Sequence, residues 1–396
     1  MLISDIDDFT IEKIHETFKN YKNENNKIEY KREIDIIGEK GKKEFYKDIA
    51  GFANSNGGYL FIGIDEKDGI IGIHEKNIDQ FKNRIECMLN DSIKPRIVFR
   101  LKEVHIPNNP DKYVIVIQIL KTLYSPHILE YKGQKKFYIR GETGVSEMDI
   151  NQIKNAFLQS NFEQHRINDF IINRFSEIII NNTPIKLKDK PKVILHLIPL
   201  DYFNSSTSID LESKNTTEEF RKIFYRQSTF DKFFNYHGIV FYQESPYQYR
   251  EYIHLFRNGC VEIVNSAIID SANIIDEKKC ISSENLLLYI YHAIYHMRDF
   301  LYAIKINPPF VLHLNLFGVK DHYLAPENFY SICTNPNFMQ KLNHLSFKEM
   351  YIEDKDENLA QIFKPWFDHI FQSFGYASCS NYTSDRYLKI GKILYI

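Results

Sequence analysis

The chain lacks the features that announce most metalloenzyme, redox and membrane classes. Its 50 Lys and Arg residues face 52 Asp and Glu, for a formal net charge of −2. No global positive field can gather a polyanion, so any nucleic-acid site must be a local basic patch. The five cysteines, Cys87, Cys260, Cys280, Cys333 and Cys379, are scattered without a CxxC pair. That excludes a zinc ribbon and a dithiol redox motif and fits a reducing compartment. No apolar run is long enough to span a bilayer. Met1 to Phe9 carries acids where a secretory leader would carry basic residues before an apolar stretch. A soluble, cytoplasmic protein with no membrane association is expected. GxxxxGK[ST] is absent, which leaves Asn54 and Gly57-Gly58 without a phosphate-loop pattern. No Ser-His-Asp or Cys-His arrangement can be argued from spacing.

What is present is a chain of 396 residues, more than one hydrophobic core comfortably serves, so two domains are expected. The 26 Tyr and 30 Phe must supply much of the core and could also offer stacking surfaces to bases.

Periodicity places the elements. Ile11, Ile14 and Phe18 predict a helix over 11–21 with Thr10 as its cap. A short strand follows at Lys27–Lys31, then a loop with Gly38 and Gly41. Phe45, Ile49, Phe52 and Ala53 lie on one helical face, and Gly57-Gly58 ends that helix. "YLFIGID" is a continuous apolar run of strand length, expected to be buried on both faces. Asp68-Gly69 predicts a hairpin turn. A helix over 78–89 precedes strands over 96–105, 113–120 and around "KKFYIRGETG". Ser146 with Asp149 is expected to cap a helix through Leu158, and Phe162 to Ile180 reads as a further helix. Strand runs at "KVILHLIPL" and "PFVLHLNLFGV", a hairpin at Asn258-Gly259 and a long helix starting near Ser283 organise the rest. The mixture is α+β. The expected domains are 1–160, a helical linker at 161–184, and an α/β-type domain at 185–396.

Chemistry concentrates in "KNENNKIEYKRE", Lys22 to Glu33. Glu29 and Lys31 are two apart on a strand and share one face, with Glu24 just before them. A third acid could come from Asp65, at the end of the buried strand, although "DEKDG" is also good turn chemistry. Glu66, its neighbour, could serve instead. Oxygen-rich sites of two or three carboxylates suit Mg2+ or Mn2+. A nearby ammonium such as Lys31 can offset charge that develops on a phosphate. Lys42, Lys43, Lys135 and Lys136 could form a local basic rim. His292 and His296 are one helical turn apart, but Ala293 stands where HExxH needs its glutamate. His196 and His313, inside apolar strands, are read as hydrogen-bonded core residues.

In combination, Glu24-x4-Glu29-Tyr30-Lys31, "FANSNGGYLFIGID", "GIIGI" and "FYIRGETG" resemble the Schlafen AlbA-like domain family over about residues 5–160. The resemblance implies a three-carboxylate metal site made by Glu24, Glu29 and Asp65 that cuts RNA, often tRNA. Arg140 matches the arginine of the family motif, which implies a phosphate or RNA-backbone contact, with a surface salt bridge as the alternative. Some members only bind nucleic acid, so a non-catalytic regulator and a DNA-directed nuclease remain alternatives. Prokaryotic relatives look like toxic effectors of anti-phage defence, with a defence-system partner protein possible. Larger members pair two such lobes, so a homodimer is expected here. On this reading Glu29→Ala should abolish cleavage and leave the fold intact.

Overall fold

A computed structural model describes the chain apart from residues 1–5, 22–24, 36–37, 76, 108, 201–202, 204–208, 213, 225–229, 244–249, 270–273, 276–277, 326–337, 356, 384–387, 391–392 and 396. It forms two compact units, Met1–Arg166 and Ile167–Ile396. Both mix helices with strands, and the class is α+β.

In the first unit, α1 (Ile11–Asn20) is capped by Thr10, whose Oγ1 accepts from the Lys13 amide at 3.3 Å. Strand β1 (Ile28–Lys31) runs parallel to β2 (Gly58–Ile62), with Glu29 opposite Leu60. α2 (Glu39–Ala53) connects them, and Gly41 lies inside it instead of in the expected loop. The hairpin β3 (Ile64–Asp65) and β4 (Gly69–Ile70) turns at Asp68-Gly69 as expected. Then come β5 (Ile73–His74), α3 (Ile78–Ser92), β6 (Ile93–Lys94), β7 (Phe99–Ile106), β8 (Asn109–Ile119), β9 (Ile128–Tyr131), β10 (Gln134–Gly141) and β11 (Gly144–Glu147). The main sheet has the order β1-β2-β8-β5, with β7 also on β8, and a smaller sheet has the order β11-β10-β9-β6.

Every residue of β2 is buried, because the strand lies between two cores. Tyr59 and Phe61 join Phe9, Ile14, Ile28 and Tyr30 on one side. Leu60 and Ile62 join Phe45, Ile49 and Phe52 of α2 on the other. The same alternation in β1 sends Ile28 and Tyr30 to the first core, so Glu29 and Lys31 point towards α2.

The "NSNGG" turn is shaped by packing as much as by capping. Gly57 has φ +65°, and a Cβ on Gly58 would sit 2.4 Å from the Phe52 ring. Asn54 is buried, with Nδ2 donating to the carbonyls of His127 (2.7 Å) and Tyr138 (2.9 Å). It is a clamp between α2 and the small sheet.

One helix, α4, runs from Ile150 to Ile179 where two were expected. Asp149 alone caps it, its Oδ1 accepting from the amides of Asn151 and Gln152 at 2.8 Å each. Ser146 belongs to β11.

The second unit is built on a wholly antiparallel sheet. Its strands are β12 (Lys192–Pro199), β13 (Phe230–Phe234), β14 (Gly238–Gln243), β15 (Glu251–Phe256) and β16 (Val261–Asn265), with β19 (Phe310–Phe317), β21 (His344–Ser346) and β22 (Met350–Ile352). The order is β13-β14-β15-β16-β12-β19-β21, with β22 also on β19. A side sheet holds β17 (Ile274–Ile275), β18 (Lys278–Ser282) and β20 (His322–Ala325). Helices α5 (Lys214–Phe224), α6 (Ser283–Ala303) and α7 (Leu359–Ser373), with the strand Leu388–Ile390, add to the core. Ser282, one residue before the expected position, caps α6.

Candidate functional site

The alternation of β1 delivers Glu29 into a buried cluster of four charges. Its carboxylate is only 5% exposed. Oε1 accepts from the Lys31 ammonium, and Oε2 accepts from Nη2 of Arg140 at 2.6 Å. Arg140, on β10, also donates to the carbonyls of Asn25 (2.8 Å) and Ile28 (3.0 Å), and its guanidinium lies 4.4 Å from the Phe52 ring centroid. Lys31 reaches the other way, its ammonium 3.1 Å from Oδ2 of Asp48 on α2. Two carboxylates and two cations therefore neutralise one another with only Lys31 partly open to water, and the buried members require such pairing.

Burial pushes the Asp48 carboxyl up to about 6, against the pull of the Lys31 charge. Burial also opposes the charge on Lys31, but Asp48 and Glu29 outweigh it and hold the ammonium protonated well above its ordinary range. The Lys31 side chain remains 32% exposed. It is the member of the cluster that a bound phosphate could reach.

Sequence reading missed Asp48. Its signal was there: an acid between Phe45 and Phe52, within the stripe that α2 turns to the core.

Glu24 falls outside the described residues. Asp65 closes its own turn, Oδ1 accepting from the amides of Lys67 (2.9 Å) and Asp68 (3.0 Å), and these bonds lower its pKa. Arg32 Nη1 stands 4.0 Å from Asp65 and 2.7 Å from Asp68. Glu66 is exposed beside that turn. Among the described residues no group of three or more His, Cys, Asp or Glu side chains converges as a metal site.

Arg140 is an interior residue, its side chain 1% exposed. Lys135 and Lys136, on β10, pair with Glu130 at 2.7 Å and Glu147 at 2.6 Å on the flanking strands. Lys42 and Lys43 are half-buried near the start of α2. His196 and His313 are core residues as expected, bonded to Glu262 (2.9 Å) and Asn315 (3.0 Å).

Residues 24–149 match the family model described as Schlafen, AlbA_2. The match takes in the whole run from β1 to β11 of the N-terminal unit. The C-terminal half has no family match. No curated protein matches the chain. Among solved structures, the DIP2311 protein from Corynebacterium diphtheriae is similar at 20% identity, with a TM-score of 0.23, over 31% of this chain and 22% of that one. The similarity thus spans under a quarter of that protein's length. No described helix is long and apolar enough to cross a membrane.

Proposed function

We propose that the N-terminal unit binds RNA and cuts its backbone, with Lys31 as the side chain that meets the scissile phosphate. One observation carries this reading. A partly exposed ammonium is held between two buried carboxylates, Glu29 and Asp48, inside the segment that matches Schlafen AlbA_2. In hydrolysis a water oxygen attacks phosphorus, the bond to the leaving oxygen breaks, and negative charge grows on the phosphoryl oxygens. A fixed ammonium stabilises that charge more than it stabilises bound substrate.

The reading includes Mg2+ or Mn2+, which would supply Lewis acidity at the phosphate. Glu24, Glu29 and Asp65 would be its ligands. As they stand, the described acids do not fit that set, because Glu29 is engaged by Lys31 and Arg140 and Asp65 by its own turn. A tRNA-like stem is the proposed substrate, duplex DNA being the alternative. Two copies of the chain would set two such units on one RNA. The cellular role consistent with this activity is that of a toxic effector in anti-phage defence.

A second reading, binding without cutting, is favoured by one specific observation: Arg140 locks Glu29 as a structural ion pair. A single experiment separates the two. The purified chain is incubated with total RNA, with Mn2+, with Mg2+ and with a chelator, and new RNA ends are sequenced. Fresh ends that depend on Lys31 and on the divalent ion support the nuclease. RNA retained but uncut under every condition supports the binding module.

A further inference from the structure

The second unit holds a cleft of about 620 Å³, a size suited to a small ligand. Phe170 and Arg174 of α4, Tyr236 and His237 of the β13–β14 turn, and Phe256 at the end of β15 with Arg257 and Asn258 after it line it. No carboxylate lies among these residues.

The cleft is organised without a ligand. The Arg257 amide donates to the His237 carbonyl at 2.9 Å, and its Nε donates to the Tyr236 carbonyl at 3.1 Å, fastening the two turns together. Phe170 meets Phe256 edge-on, with ring centroids 5.3 Å apart. Arg174 lies over the Phe256 ring at 5.4 Å. Its guanidinium is fixed from below by Glu262, through Nε and Nη2 at 2.9 Å each. Glu262 is wholly buried and also accepts from Tyr252 Oη at 2.8 Å. Arg174 therefore cannot turn away from the cleft without breaking a buried network. At the rim, Tyr236 is 87% exposed, and His237 and Arg257 are exposed beside it. An aromatic ring held out in water beside the Arg257 guanidinium, with no acid in the lining, is complementary to a flat ring that bears a negatively charged phosphate.

We propose that this cleft binds a nucleoside phosphate, free or at the end of a single strand. The base stacks on the exposed Tyr236 ring at the mouth of the cleft, and the phosphate meets Arg257 and His237. The site lies in the unit that has no family match and does not depend on the nuclease reading.

The test is calorimetric titration of the full chain with AMP, GMP, CMP and UMP, with inorganic phosphate, and with a short single strand carrying a 5′-phosphate or a 5′-hydroxyl. Tyr236→Ala and Arg257→Ala are compared with wild type. Both residues are exposed, and melting curves confirm that the variants fold. Binding of at least one mononucleotide, weakened tenfold or more by Arg257→Ala and fivefold or more by Tyr236→Ala, supports a free-nucleotide site. Binding of the 5′-phosphorylated strand alone, with the same losses, assigns the ligand to a strand end. No binding by any mononucleotide or strand at millimolar concentration overturns the proposal. So does binding that neither variant changes, or binding of inorganic phosphate only.

Discussion

Glu29 and Arg140 stand 111 residues apart in sequence and 2.6 Å apart in space, joined through Oε2 and Nη2. This pair changes what substitutions in the "IEYK" strand mean. An acid at a cleft edge could be removed at little cost to the fold. Glu29 instead is buried against the interior cation of Arg140 and the partly exposed one of Lys31.

Glu29→Ala should therefore unfold the N-terminal unit more readily, not merely silence it. Breaking a buried pair by removing one partner typically costs about 3–5 kcal/mol. Glu29→Gln, which keeps the shape and one acceptor oxygen, should be milder. Denaturant melts of the two variants check this. An Ala variant as stable as wild type would show that Arg140 finds another partner.

Lys31→Ala should slow RNA cleavage on the order of a hundredfold or more while weakening RNA binding much less. Rates under single-turnover conditions and filter binding on the same RNA make the comparison. Equal losses in both would make Lys31 an ordinary phosphate contact.

Asp48→Asn keeps the size of the side chain but removes the charge that holds Lys31 from the α2 side. Cleavage should fall with little change in RNA affinity, and Asp48→Glu should recover part of the rate. An Asn variant with full activity would leave Glu29 as sufficient anchor for the ammonium.

The second unit should be acid-labile. Burial lowers the His254 pKa to about 4, and neither ring nitrogen has a hydrogen-bond partner. Burial lowers His313 to about 3. An unfolded histidine takes up its proton near pH 6.5, so between 6.5 and 4 the unfolded chain binds more protons than the folded one. Stability is thus full above 6.5 and is lost as pH falls through that window, by up to about 3 kcal/mol for His254 alone. Thermal melts at pH 7.5 and 5.0 test this, and His254→Phe should flatten the difference.

RNA binding should show a shallow salt dependence. Lys135 and Lys136 already face Glu130 and Glu147, so these two gain less from a phosphate. A slope of a few units is expected, at roughly −0.7 per contact on single strands. Glu147→Gln should free Lys136 and tighten binding at low salt. A slope near that of a wholly basic protein would place the RNA contact on lysines and arginines away from β10. Folded RNA should be cut in preference to duplex DNA of equal length, because its wide minor groove presents backbone and 2′-OH groups.

Much of the fold was legible because hydrophobic period survives folding. The all-apolar "YLFI" run shows that β2 is buried on both faces, and Thr10 marks the start of α1. The single α4 was not legible, since Gln159, Ser160 and Asn161 interrupt the apolar stripe and read as a break. In the structure Ser160 instead donates to the Leu123 carbonyl from mid-helix. The site was half legible. Glu29 and Lys31 declare a shared face by spacing alone, and Asp48 could have been found as an acid within an apolar stripe. Arg140 could not be paired with Glu29 from sequence, because no local periodicity links strands from different sheets. Asp65 illustrates the reverse case, a residue whose turn chemistry was visible from the start.

The separation of Glu29 from Arg140 also sets a timetable for the nascent chain. Synthesis proceeds at about 5–20 residues per second, so the 111 residues between them occupy the ribosome for roughly 6–20 seconds. Once β2 has emerged β1 can pair with it, yet until β10 follows the inward carboxylate has only Lys31 as a countercharge. The N-terminal unit closes when β10 leaves the exit tunnel, and ribosome pausing within β9 or β10 would prolong the life of the open form.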